Sequence, residues 1–235
     1  MAGPSRLDAE WQRLYGQTTG DTGVRALVLE LARPAEWPPL ARLWQAVQAE
    51  LGLPAPAIAV SGVDGLQLWF SLQQPLPAAQ GHAFMATLRD RYLPDLAPRV
   101  SLWPAVAASG AVECAARVPA PQPGSGLWSA FVAPDLAALF DDTPWLDLPP
   151  SEDGQAALLA GLATITPEAL AAAAACLDPP ASEAVALPAP AAMANPTAIR
   201  QQDPYAFLLG VMNDPAVPLA LRIEAAKALL PPRGP

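Results

Sequence analysis

Apolar and polar positions alternate in blocks along the first hundred residues, and each block has its own period. Val24–Leu31, VRALVLEL, is a run of β-formers with one arginine and one glutamate, which predicts a strand. Pro38 and Pro39 suit the first turn of a helix, where a missing N–H costs nothing. Behind them Leu40, Leu43, Trp44, Val47 and Leu51 repeat at i, i+3, i+4, i+7 and i+11, an amphipathic helical stripe that Gly52 stops. Ala57–Val60 and Leu66–Leu72 read as two strands joined through Gly62 and Gly65. Pro75 and Pro77 introduce a helix with Phe84, Leu88 and Tyr92 on one face and Pro94 at its end. Arg99–Trp103 alternates like a closing strand. The order β-α-β-β-α-β is the ferredoxin-like or RRM-like motif, an antiparallel sheet with two helices on one face.

Outside this unit the pattern weakens. In residues 1–23, Leu7, Trp11 and Leu14 at helical spacing predict an N-terminal helical segment. Past Pro104, Val112–Val118 and Leu127–Val132 form a candidate strand pair, and Pro134–Phe140 reads as a turn or two of helix. The expected organisation is an α+β protein. Its RRM-like domain with an irregular extension spans 24–150, followed by a helix over 151–177, an Ala/Pro linker over 178–196 and a helical hairpin tail over 197–235.

Charge changes this picture in one respect. Residues 1–103 carry 8 Arg against 9 acids, residues 104–196 carry 1 Arg against 10, and residues 197–235 carry 4 bases against 3. Nucleic-acid binding draws most of its affinity from neutralised phosphates, so the middle of the chain should repel DNA. Asp141, Asp142, Asp147, Glu152 and Asp153 lack the spacing and central glycine of a calcium loop and read as a solvated acidic face. Cys114 and Cys176 share no metal-type spacing and make no disulfide framework. His82, the one histidine, has no partner motif for a triad and reads as a surface residue. No targeting segment opens the chain and no apolar run spans a bilayer, so a soluble, cytoplasmic protein without cofactor or metal is expected.

Two local words carry a resemblance. LVLELARP and AIAVSGVDGLQLWFSLQQPLP, with the trailing PAAQGHAFMATLRDRYL, resemble the catalytic core of the archaeo-eukaryotic primase (primase-polymerase) superfamily over about residues 24–103. That resemblance implies an RRM-like sheet on which paired acids bind divalent metals and a histidine contacts nucleotide phosphates. Glu30, Ser61, Gly62 and Gly65 match the motifs. Ala32 stands at the second acidic position, Gln67 replaces the histidine, and no third acid lies near Leu102-Trp103-Pro104. A two-metal site needs several converging oxygens. The implied protein is therefore a catalytically inactive binding or assembly factor, of phage or mobile-element DNA metabolism.

Strand alternation puts Leu66, Leu68, Phe70 and Leu72 on one face and Gln67, Trp69 and Ser71 on the other. With Arg25, this second row is a candidate binding face, either a stacking platform for single-stranded nucleic acid or a surface covered by residues 104–150 or a protein partner. Glu30 is either a leftover ligand or a plain sheet-face residue. The tail QQDPYAFLLGVMNDPAVPLALRIEAAKALLP resembles a segment of small terminase-like phage and prophage proteins. That likeness implies docking to a protein partner through Tyr205, Phe207, Leu208, Met212, Arg222 and Lys227. Two alternatives stand beside the inactive primase-like reading. One is an adaptor with no nucleic-acid role. The other is an active nucleotidyltransferase with a displaced metal site that uses Glu30 with Asp64 or the acids of 135–153.

Overall fold

A computed structural model describes residues 3–16, 23–107 and 110–177. Helix α1 (Arg6–Tyr15) precedes β1 (Val24–Ala32), α2 (Trp37–Ala49), β2 (Ala57–Val60), β3 (Gly65–Leu76), α3 (Ala78–Tyr92) and β4 (Val100–Trp103). Then come β5 (Ala105–Val106), β6 (Val112–Glu113), β7 (Ala120–Pro121), β8 (Trp128–Val132), α4 (Glu152–Ala160) and α5 (Pro167–Leu177). The fold is α+β. One antiparallel sheet has the strand order β4-β1-β3-β2-β8-β7, and β5 with β6 forms a separate ribbon. The linker 178–196 and the tail 197–235, with its six predicted docking residues, lie outside the described residues.

The sheet is covered on both faces. Leu27, Leu29, Leu31, Leu66, Leu68 and Phe70 pack with Leu40, Leu43 and Val47 of α2 and with Phe84, Met85 and Leu88 of α3. On the opposite face Val28, Ala59, Trp69 and Phe131 pack with Leu7, Leu14 and Tyr15 of α1 and with Ala156 and Leu159 of α4. Burial on both sides explains why β3 is buried without interruption from Gly65 to Leu72.

Local chemistry sets the helices. Ser5 and Asp8 close a capping box at the start of α1. Arg13 in the last turn of α1 donates to the carbonyls of Leu159 (2.9 Å) and Leu162 (3.1 Å), fastening α1 to the end of α4. Pro38 and Pro39 occupy the first turn of α2 as their spacing predicts, and the Trp37 N–H left over there donates to Asp141 Oδ1 at 2.7 Å. One member of the acidic cluster is thus a helix cap. His82 is half-buried, with Nδ1 2.9 Å from the Pro104 carbonyl oxygen, and is not a free surface residue.

The extension departs from its prediction in two places. Only Val112–Glu113 of the expected Val112–Val118 strand forms, paired with β5, while β8 joins β2 through Ile58↔Val132 and Val60↔Ala130. The expected single helix over 151–177 is two helices. Between them Ile165 runs beside β3, its N–H donating to Ser71 O (2.7 Å) and its carbonyl accepting from Gln73 N (2.8 Å). Those strand-like bonds outweigh the helical propensity of the alanines, and Pro167 then restarts the helix.

Gln155 of α4 does for β8 what a neighbouring strand would do. Its Oε1 accepts from Phe131 N (2.7 Å) and its Nε2 donates to Phe131 O (2.9 Å), both buried. Gln155→Leu leaves two buried backbone groups without partners, an expected loss of about 2–3 kcal/mol in urea unfolding. Among the described residues no helix is long and apolar enough to cross a membrane.

Candidate functional site

The turn after β2 is organised by one hydroxyl. Ser61 Oγ receives the N–H groups of Val63 (3.1 Å), Asp64 (3.1 Å) and Gly65 (2.9 Å), and Ser61 N donates to Gly65 O. Gly62 has φ 79° within this turn, and Gly65 lies so close to Glu30 that an added Cβ would sit 2.6 Å from its Cγ. Ser61, Gly62 and Gly65 therefore hold the turn and let the Glu30 side chain lie across β3.

Glu30 and Gln67 are direct cross-strand partners. The Trp69 Nε1–H donates to Gln67 Oε1 at 2.7 Å, and Gln67 Nε2 in turn donates to Glu30 Oε2 at 2.6 Å. Because Trp69 is a donor only, this relay fixes which way the Gln67 amide points. Gln67 is 7% exposed and Trp69 1% exposed. Trp69 packs edge-on against Tyr15 (5.2 Å) and Phe131 (5.9 Å), which leaves no face for a nucleic-acid base.

The candidate binding face is therefore a buried layer. The cover comes from α1 and α4, with Phe131 and Val118 adding to it, rather than from residues 104–150 alone. Ser71 is buried and its hydroxyl donates to Ala163 O at 3.3 Å. Arg25 spends its guanidinium on the carbonyls of Leu72 (3.0 Å), Gly16 (3.1 Å) and Arg13 (3.0 Å), tying the end of α1 to β3. A polar row with an arginine beside it reads as exposed in a sequence. Here each polar atom is satisfied within the protein, so the row can be buried.

At the Gln67 end of that layer a cleft of about 250 Å³ opens. Glu30, Ser61, Asp64 and Gln67 line it from the sheet side, and Trp103, Ala115, Ala116, Arg117, Val118, Gln122 and Ser129 close the rest. The structure thus brings Glu30, Ser61 and Gln67 together at the cleft, whereas Trp69, though bonded to Gln67, and Ser71 do not line it. Arg117, Gln122 and Ser129 were not legible as site residues, because they come from the irregular extension and carry no motif.

No protein-family model, curated protein or solved structure matches the chain.

The electrostatics of the cleft lean negative. Burial pushes the Glu30 carboxyl above its ordinary range, the Gln67 hydrogen bond pulls it down, and the charge on Asp64 adds to the upward push. Neither Glu30 nor Asp64 is in an ion pair among the described residues. The metals of the resembled family need a richer donor set than this. Among the described residues no group of three or more His, Cys, Asp or Glu side chains is placed to hold a metal ion. One Glu30 oxygen already accepts from Gln67, and Ala32 offers no donor. The residues present do not fit a two-metal centre.

A raised carboxyl pKa destabilises the folded protein at neutral pH. The folded state binds the proton more tightly, so stability falls as pH rises from the unfolded carboxylate range through the folded value. Glu30→Gln keeps an acceptor for Gln67 and removes the charge. It should raise the urea midpoint at pH 7, with the difference from wild type shrinking as pH falls toward 4.

Proposed function

We propose that this chain is a non-catalytic, primase-polymerase-like binding protein built on a ferredoxin-like, RRM-like core. Its retained cleft holds a partner instead of joining nucleotides. The β-α-β-β-α-β order and the antiparallel run β4-β1-β3-β2 within the larger sheet support that core. The observation that carries the functional reading is the Gln67–Glu30 hydrogen bond at the floor of the cleft. The position that would present a phosphate-binding histidine instead ties up a carboxylate.

A protein partner is favoured over a single strand of nucleic acid. The sheet face that would stack bases is buried, and two carboxylates line the cleft. Arg25 and Arg99 are committed to backbone carbonyls, Arg99 to those of Ala32 and Pro34. The setting that the resemblance suggests is the DNA metabolism of a phage or mobile element, with the protein as an assembly factor.

Purified protein with Mg²⁺ or Mn²⁺, primed template and nucleotides should show no incorporation. Metal-dependent incorporation that disappears in Glu30→Ala would instead establish the displaced-site nucleotidyltransferase, with Glu30 and Asp64 as its acids. In a gel shift at low salt, single strands should not bind. Binding that weakens steeply with salt would move the reading to nucleic acid.

A further inference from the structure

The cleft has two unlike walls. Its sheet wall, with Glu30, Asp64 and Gln67, is held by the β1–β3 ladder and by the Ser61 turn. Its other wall is formed by Ala115, Ala116 and Arg117 of the extended segment Cys114–Arg117, which leads from β6 toward the buried anchor Val118. Among the described residues no backbone hydrogen bond joins 114–117 to the rest of the protein.

Ala115 packs, half-buried, against the core that α1 and α4 cover, and one polar side chain fastens the rest of this segment. Arg117 pairs with Asp8 of α1, and its guanidinium lies 4.9 Å from the centre of the Trp11 ring. The two ion-pair side chains are 47% and 46% exposed, so solvent screens their attraction. Cation–π contact at such an exposed position is also modest. A wall without ladder bonds, held by one small half-buried side chain and one weak latch, is the part of a structure that opens at the least cost.

We propose that Cys114–Arg117 is a strap over the Glu30–Gln67 cleft, hinged at Val118 and latched to α1 by Arg117, and that releasing the latch admits the ligand. The proposal rests on the reading of this cleft as a binding site and adds its regulation. Higher ionic strength opens the strap by screening Arg117 from Asp8. A partner with its own carboxylate or aromatic side chain for Arg117 opens it by competing for the guanidinium.

The test needs no ligand. With Cys114 and Cys176 replaced by serine, a single thiol introduced by Asp64→Cys reports on the sheet wall through its reaction rate with a bulky neutral maleimide. Adding Arg117→Ala should raise that rate about fivefold or more, the factor expected for losing an exposed ion pair and a cation–π contact. Asp8→Asn, which leaves the strap itself intact, should raise it in the same direction. With Arg117 present the rate should climb between low and high salt, and with Arg117→Ala it should not.

Equal rates in all three proteins, without salt dependence, would overturn the strap. Far-UV circular dichroism of each protein separates a released strap from a damaged fold, and a rate increase accompanied by lost structure counts against the proposal. Because labelling is independent of any partner, the strap can fail while the cleft still binds, and it can hold where no binding is found.

Discussion

Trp69→Ala is expected to lower the unfolding free energy by about 3–5 kcal/mol, the cost of removing a large buried aromatic side chain. Trp69 is 1% exposed, and Tyr15 and Phe131 meet its ring edge-on. Its truncation leaves a cavity between α1, α4 and the sheet. It also strips Gln67 Oε1 of its donor and frees the amide that holds Glu30. Urea unfolding followed by circular dichroism measures the loss. The opposite result discriminates just as well. A surface stacking residue would leave stability within about 0.5 kcal/mol and show its effect only in binding. An unchanged midpoint in Trp69→Ala would therefore return this face to solvent.

Gly62→Ala is expected to cost about 2–4 kcal/mol, combining the left-handed backbone with overpacking. At φ 79° an L side chain is already disfavoured, and the added Cβ would lie 2.7 Å from Ser129 N and 2.9 Å from Trp128 C. Both are backbone atoms of β8, so relief requires the turn and the strand to separate. Gly52→Ala is the control, since Gly52 has φ 63° with nothing within 4 Å of the added atom. It should lose only the conformational part, about 1–2 kcal/mol. The difference in chemical-denaturation midpoints isolates the contact between the Ser61 turn and β8. Equal losses would mean that β8 yields freely and does not fix the turn. That contact matters to the cleft, because the same turn places Asp64 and Gly65.

The glycine pair and the aromatic illustrate what could be read in advance. Gly62 and Gly65 were legible as turn residues because glycine between two β runs answers a local backbone requirement. Leu40, Leu43 and Val47 were legible as core because a helix buries one stripe wherever it packs. Gln67 and Trp69 were legible as sharing a face, but the environment of that face was not. A polar row turned to solvent and a polar row whose atoms satisfy one another have the same sequence. Glu30 shows the same ambiguity, and only its distance to Gln67 distinguishes a cleft carboxylate from an ordinary edge residue.

The β-α-β-β-α-β element order, the apolar face Leu66, Leu68, Phe70 and Leu72 of β3, and the turn glycines were set by the sequence. These depend on periods of two and 3.6 residues and on backbone preferences, both properties of a few neighbouring positions. Only the tertiary structure decided that α1 and α4 cover the second face, that 151–177 divides so that Ile165 can pair with β3, and that Ala115–Val118 walls the cleft. Each of those outcomes rests on contacts between residues far apart in the chain, such as Arg13 with Leu159 or Gln155 with Phe131. Such pairs leave no periodic trace, because their energy arises only when the chain brings them together.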